Sequence, residues 1–269
     1  MSKAPRTECA HEPSVCVSRS KGASVDILGN RKKIGIVVPS TNTVVQPESE
    51  LLKPRGVTNH IGRSTLKTQT ISEQGFADHM RAMREGMDSA IEQLMTCRPD
   101  HLIFGVAIEA FSGGIKGAEQ FQKALADKAG VGATIGSTAA VAALKAFGAK
   151  RIAVLTPHQP SGDEIVRIYL QEAGFDVAKL VGLKCPSPWA IAEVPPDIVR
   201  GHLRDLNGDD IDAILQVGTN LANATTAAEA ERWFGKPVLC LNVVSYWNAL
   251  RTCGVEDRIC GYGRILEEH

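Results

Sequence analysis

The chain repeats itself. "KKIGIVVP" (Lys32 to Pro39) and "KRIAVLTP" (Lys150 to Pro157) are apolar runs of equal length, each opened by two basic residues and closed by proline. Each introduces the same order of segments. After the first come "GVTNHIGRSTL", "EQGFADHMRAMREGMDSAIEQLMTC", "DHLIFGV", "GATIGS" and "TAAVAALKAFGA". After the second come "GDEIVRIYLQEAG", "FDVAKLVGL", "IDAILQVG" and "KPVLCLNVVSYWNALRTCGV". Short β-branched runs alternating with helical periodicity predict βαβ units and parallel sheets. One helix shows its buried stripe openly, at Phe76, Met80, Met83, Met87, Ile91 and Met95, and Gly148 and Gly174 mark helix ends. The predicted fold is α/β: two flavodoxin-like domains related by a pseudo-twofold axis, each with a parallel four-stranded sheet, and an active-site cleft between them. Residues 31–136 with 243–269 are expected to form the first domain and 137–242 the second, behind a flexible extension of residues 1–30.

Composition narrows the function. With 269 residues, 43% of them hydrophobic, the chain is long enough for two modest cores. Thirty basic and thirty acidic residues cancel, and neither sign is concentrated, so no nucleic-acid partner is expected. No apolar stretch approaches the ~20 residues of a membrane span, and residues 1–30 lack the apolar run of a secretory signal. A cytoplasmic protein without a membrane partner is the expectation. Seven cysteines and seven histidines are scattered, without metal-ligand spacing. Neither a metal nor a cofactor is expected.

Parallel α/β sheets carry their functional groups beyond the carboxyl ends of the strands. In two facing domains those ends would share one cleft. The residues concerned are Ser40, Thr41 and Asn42 after the first strand, and Val106 and Ala107 after "DHLIFG". In the second domain they are His158, and Gly218, Thr219 and Asn220 after "IDAILQV". Small hydroxyl and amide side chains beside free backbone N–H groups suit an anion without a full counter-charge. The same residues also favour turns and helix caps. Arg63, at the end of the second strand, is a further candidate for a carboxylate.

"GIVVPSTNTVVQPE", "TPHQPSGDE", "VGTNL", "GKPVLCLNVVSYWNALR" and "GYGRILEEH", in this order, resemble the aspartate/glutamate racemase superfamily. The closest branch is that of maleate cis-trans isomerases and arylmalonate decarboxylases. The resemblance runs from Ile34 to the C-terminus. It implies chemistry without cofactors on a small carboxylic acid, in a homo-oligomer, with one cysteine from each domain beside the substrate. It also implies that both cysteines are replaced here. The second-domain motif Cys-Thr-Asn reads Gly218-Thr219-Asn220, and Val106 is the best match for the first-domain position. Ser40, Thr41 and Asn42 match the stretch whose asparagine binds the substrate carboxylate, and Thr219 and Asn220 match the second carboxylate site. Glycine at 218 is expected to leave space where a thiol would sit.

Two titratable residues fall at the right strand ends. Glu109 lies in the apolar "VAIEAF", where burial would raise its pKa towards that of a general acid or base. The alternative is a charge at a helix start. His158 stands where the family usually reads Thr-Pro-Tyr, and an imidazole there could bind a carboxylate or shuttle a proton; the alternative is a surface histidine in a proline-rich loop. The sequence therefore points to a lyase, isomerase or hydrolase step by non-thiol acid–base chemistry through Glu109 and His158. The rival is a catalytically inactive protein that binds small carboxylates on the same scaffold. A nucleotide site at "PSTNT" is weaker, because no GxGxxG loop follows a strand.

Overall fold

A strand buried on both faces reads as a continuous apolar run, and such strands belong at the centre of parallel sheets. Ile34, Ile36, Val37 and Val38 of β1 (Lys32–Pro39) are buried in this way, as are Ile152 to Leu155 of β5 (Arg151–Thr156). A computed structural model describes residues 26–65 and 76–269, with side chains from residue 86 onward in the second stretch. In it β1 lies between β2 (Val57–Ser64) and β3 (His101–Phe104), with β4 (Gly132–Ile135) beyond, in the order β2-β1-β3-β4. The second sheet has β5 between β6 (Asp176–Gly182) and β7 (Ala213–Gln216), with β8 (Val238–Cys240) beyond, in the order β6-β5-β7-β8. Every pairing is parallel. Renumbering by four strands turns one sheet into the other, so the sequence duplication is a duplication of topology.

The helices fill the crossovers. The first half carries α1 (Val45–Leu52), α2 (Phe76–Met95), α3 (Ile108–Phe111), α4 (Gly114–Ala129) and α5 (Gly136–Ala146). The second carries α6 (Pro160–Glu172), α7 (Pro188–Ala192), α8 (Pro196–Leu206), α9 (Ala224–Phe234), α10 (Leu241–Thr252) and α11 (Arg264–Glu268). In α2 the predicted stripe is present at Met87 and Ile91, which are buried, and at Met95, which packs against the core. Phe76, Met80 and Met83 fall outside the described side chains. Gly148 and Gly174 follow α5 and α6 at φ +67° and +91°, the left-handed conformation that ends helices. Helix α4 is the element the sequence pattern hides: its buried face is only Ala118, Leu125 and Ala129.

Between the halves, α10 packs on α5 and also against β3, β4 and α1. Glu172 at the end of α6 accepts the Ile115 N–H at the start of α4 (2.9 Å). Of the expected extension, residues 26–30 form a turn in which the Asp26 carboxylate accepts the N–H groups of Leu28 and Gly29; residues 1–25 lie outside the described residues. Among the described residues no helix is long and apolar enough to cross a membrane.

Candidate functional site

The carboxyl end of β1 turns sharply, because the Asn42 N–H donates to the Pro39 carbonyl (2.9 Å). The Asn42 side-chain oxygen then accepts the N–H groups of Val44 and Val45 (3.0 and 2.9 Å), which seals the start of α1. Arg63, at the end of β2, donates to the Asn42 carbonyl (2.7 Å) and to Gln46 Oε1 (2.9 Å). Ser40 is exposed, Thr41 half-buried and Asn42 buried.

At the end of β7 the chain needs a glycine. Gly218 adopts φ +136°, outside the range of ordinary L-residues, and its carbonyl accepts the Gln216 carboxamide (2.8 Å). A Cβ on it would meet Pro157 Cδ at 2.5 Å. The space expected beside this glycine is therefore filled by Pro157, which closes the neighbouring β5 motif of the same repeat.

The two strand ends touch. Thr219 donates its hydroxyl to the Gly105 carbonyl after β3 (3.1 Å), and the Asn42 carboxamide reaches the same hydroxyl at 3.4 Å. Asn220 Oδ1 accepts the Thr43 N–H (2.9 Å), while its Nδ2 donates to the Pro188 carbonyl at the start of α7 (2.7 Å). Thr219 and Asn220 are both buried. Their backbone N–H groups, with those of Val106 and Ala107, donate to no acceptor among the described residues. The side chains are thus spent on holding the halves together, and the amides remain as donors. Unpaired amides at a buried strand end are costly unless something polar meets them.

Beneath this contact lies a carboxylate that the sequence reading did not single out. Glu48, in α1, is buried; its Oε1 accepts the N–H groups of Asn223 (2.9 Å) and Ala224 (2.8 Å) at the start of α9. Its Oε2 accepts the Asn242 carboxamide (2.6 Å), which also donates to the Thr219 carbonyl (3.0 Å). Burial pushes the Glu48 carboxyl up, against the opposing pull of its three donors. The signal was present, since Glu48 closes "PSTNTVVQPE", but a Glu in an amphipathic helix ordinarily reads as a solvated face.

Glu109 and His158 flank α3 on different sides. Glu109 is buried in the first turn of α3, not in a strand end, and lines a cavity of about 150 Å3 with Met87, Ile91, Phe104, Phe121 and Leu125. Lys128 and Asp88, also in that lining, are joined by an ion pair (2.6 Å). Ile108 faces the other way and approaches Gly162 in α6, beside which the His158 side chain also lies. His158 is half-buried, yet its Nε2 is shut from solvent and has no hydrogen-bond partner among the described residues. Burial pushes its imidazole down to about 3, so the ring is neutral at physiological pH. A neutral ring cannot supply the cation that carboxylate binding by an imidazolium requires. Among the described residues, no group of three or more His, Cys, Asp or Glu side chains could hold a metal ion.

Residues 34–266 match the arylmalonate decarboxylase family model. The chain belongs to that family. The maleate isomerase of Nocardia farcinica is 25% identical to it over 245 residues, covering 88% of this chain and 96% of that one. The maleate isomerase of Pseudomonas putida is 27% identical over 248 residues, covering 87% and 96%. In structure, a cysteine-to-serine mutant of the Nocardia farcinica maleate cis-trans isomerase with a covalently bound succinylcysteine intermediate superposes with a TM-score of 0.81. That match has 23% identity and covers 88% of this chain and 99% of the other. Family membership and two parallel four-stranded sheets agree with the resemblance read from the five motifs.

Proposed function

We propose that the chain is a cofactor-independent enzyme acting on a small carboxylic acid by non-thiol chemistry. The carrying observation is the meeting of the two strand ends, with the amides of Val106, Ala107, Thr219 and Asn220 unpaired around it. Preorganised backbone N–H groups in a dry site stabilise developing negative charge on a carboxylate-derived enediolate or enolate. The maleate isomerases and arylmalonate decarboxylases it resembles act through cysteine, and neither Gly218 nor Val106 supplies one. Three other thiols are poor substitutes: burial pushes those of Cys185, Cys240 and Cys253 up, away from thiolate character. Cys9 and Cys16 lie outside the described residues.

Glu109 is the proton-transfer group in this reading. It lies four residues beyond Gly105, whose carbonyl receives Thr219. His158, held neutral, orients substrate or water as a hydrogen-bonding group. The reaction class is an isomerase, lyase or hydrolase step at a carbon next to a carboxylate. Proton NMR in D2O with a panel of maleate, substituted malonates, hydroxy acids and enol-lactones tests it. Deuterium incorporation or a new product is expected, with a loss of about 100-fold or more in Glu109→Gln.

A second reading is favoured by one specific observation. The Asn42 carboxamide is already bonded to the Thr219 hydroxyl, and the Asn220 side-chain oxygen to the Thr43 N–H, across the boundary. That suits a carboxylate-binding protein without turnover. It predicts saturable binding, no exchange with any acid of the panel, and no effect of Glu109→Gln.

A further inference from the structure

The chemistry proposed above makes no use of Glu48, although burying a carboxylate is expensive. Glu48 has no Lys or Arg in ion-pair range among the described residues. Its charge is met only by dipoles: two amides at the start of α9 and one carboxamide. A helix N-terminus favours a carboxylate there, but an apolar residue would fill the same volume without the desolvation cost. The bonds themselves show what is gained. Asn223 and Ala224 close one end of the segment that begins at Thr219, and Asn242 holds the other end through the Thr219 carbonyl. The helix bearing Glu48 follows directly on Asn42 and Thr43, the residues that touch Thr219 and Asn220. One carboxylate in the first half thus fixes both ends of the second half's donor segment.

Glu172 provides the internal contrast. It also crosses between halves to a helix start, at α4, but through one bond, from an exposed position and without any link to the donors.

We infer that Glu48 is a positioning residue: through Asn242 and the start of α9 it sets the Thr219 and Asn220 backbone against Asn42 and Thr43, so the two halves of the donor site are assembled together. This rests on the reading of those donors as the substrate site. Glu48→Gln keeps the acceptor that faces α9 but turns an NH2 group towards the Asn242 NH2. The Asn242 amide must then flip, and the Thr219 carbonyl loses its donor. Asn242→Ala cuts the same relay while leaving the α9 bonds intact, and serves if Glu48→Gln does not fold.

The test is 15N NMR of the full chain, wild type against Glu48→Gln, Asn242→Ala and Glu172→Gln, with and without malonate or maleate. The expected result is displaced Thr219 and Asn220 amide and Asn42 and Asn220 carboxamide resonances in the first two variants, and none in Glu172→Gln. Probe affinity falls about tenfold or more in the first two only. Unmoved Thr219 and Asn220 resonances in Glu48→Gln and Asn242→Ala overturn the inference, whether or not the probe binds. Displaced resonances without loss of affinity overturn it as well. A wild-type protein that binds neither probe defeats the substrate-site reading instead, and the resonances alone then decide the role of Glu48.

Discussion

β3 and β7 occupy the same place in their two sheets, and they end differently. After β3 the chain reads Gly105-Val106-Ala107-Ile108-Glu109, apolar except for a carboxylate that lines the cavity beside α2 and α4. After β7 it reads Val217-Gly218-Thr219-Asn220, where the Thr219 hydroxyl and the Asn220 side-chain oxygen bond to the first half. The duplicated scaffold fixes where the strand ends meet. It does not fix what they carry. In this chain one end supplies amides and a carboxylate, and the other supplies amides and the clamp that holds both in register.

Placing a cysteine at each end probes that asymmetry most strongly. Gly218→Cys must force a side chain onto a backbone at φ +136° and against Pro157. A destabilisation of about 3 kcal/mol is expected, from backbone strain plus overpacking. Val106→Cys only shortens a buried apolar side chain and is expected to cost about 1 kcal/mol. Denaturant midpoints of the two variants measure the difference. Equal costs would mean that the β7 end accepts a thiol as readily as the β3 end.

Asn220→Ala comes next. It strips the acceptor from the Thr43 N–H and the donor from the Pro188 carbonyl, both at the boundary. About 2 kcal/mol of stability should be lost in urea titration. A smaller loss, below about 0.5 kcal/mol, would mean that the halves are held together elsewhere.

The smallest difference separates His158 from His101 by pH. Burial holds His158 down at about 3 and His101, which is bonded to Thr134, at about 4. Both lie below the ordinary value near 6.5, so between those limits the unfolded chain takes up a proton that the folded chain refuses. Stability is therefore full above pH ~6.5 and falls as pH drops, by up to ~1.4 kcal/mol per pH unit per histidine. His158→Gln should remove its share over a window about one unit wider than His101→Gln does. Chemical denaturation from pH 7 to pH 3 checks the slopes, the two variants diverging below pH 4, and an unchanged slope in His158→Gln would show that its imidazole is not shut from water.

Much of this was legible in the sequence because it is periodic. β1 and β5 announce themselves as paired apolar runs closed by proline, and the alternation of strands with helices announces two parallel sheets. The meeting of Asn42 with Thr219 and Asn220 could be anticipated from small polar residues at matching strand ends. Three features were not legible. α4 buries only three small or medium apolar residues, too few for a stripe. Gly218 read as room for a side chain, because its positive φ and the approach of Pro157 depend on how the ends of β5 and β7 lie side by side in the sheet. Glu48 was not singled out, because its partners at 223, 224 and 242 come together only when the halves pack. Local patterns reveal elements; contacts between distant segments, where this site is built, leave no local pattern.

A shared site requires that the two strand ends form one set of donors. Titrating the 15N-labelled full chain with malonate and maleate while following backbone amides addresses this directly. Resonances of Val106, Ala107, Thr219 and Asn220 are expected to move together along one binding curve, with Glu172 and the α4 start unaffected. Shifts confined to one strand end, or two curves with different midpoints, would contradict a site shared between the halves.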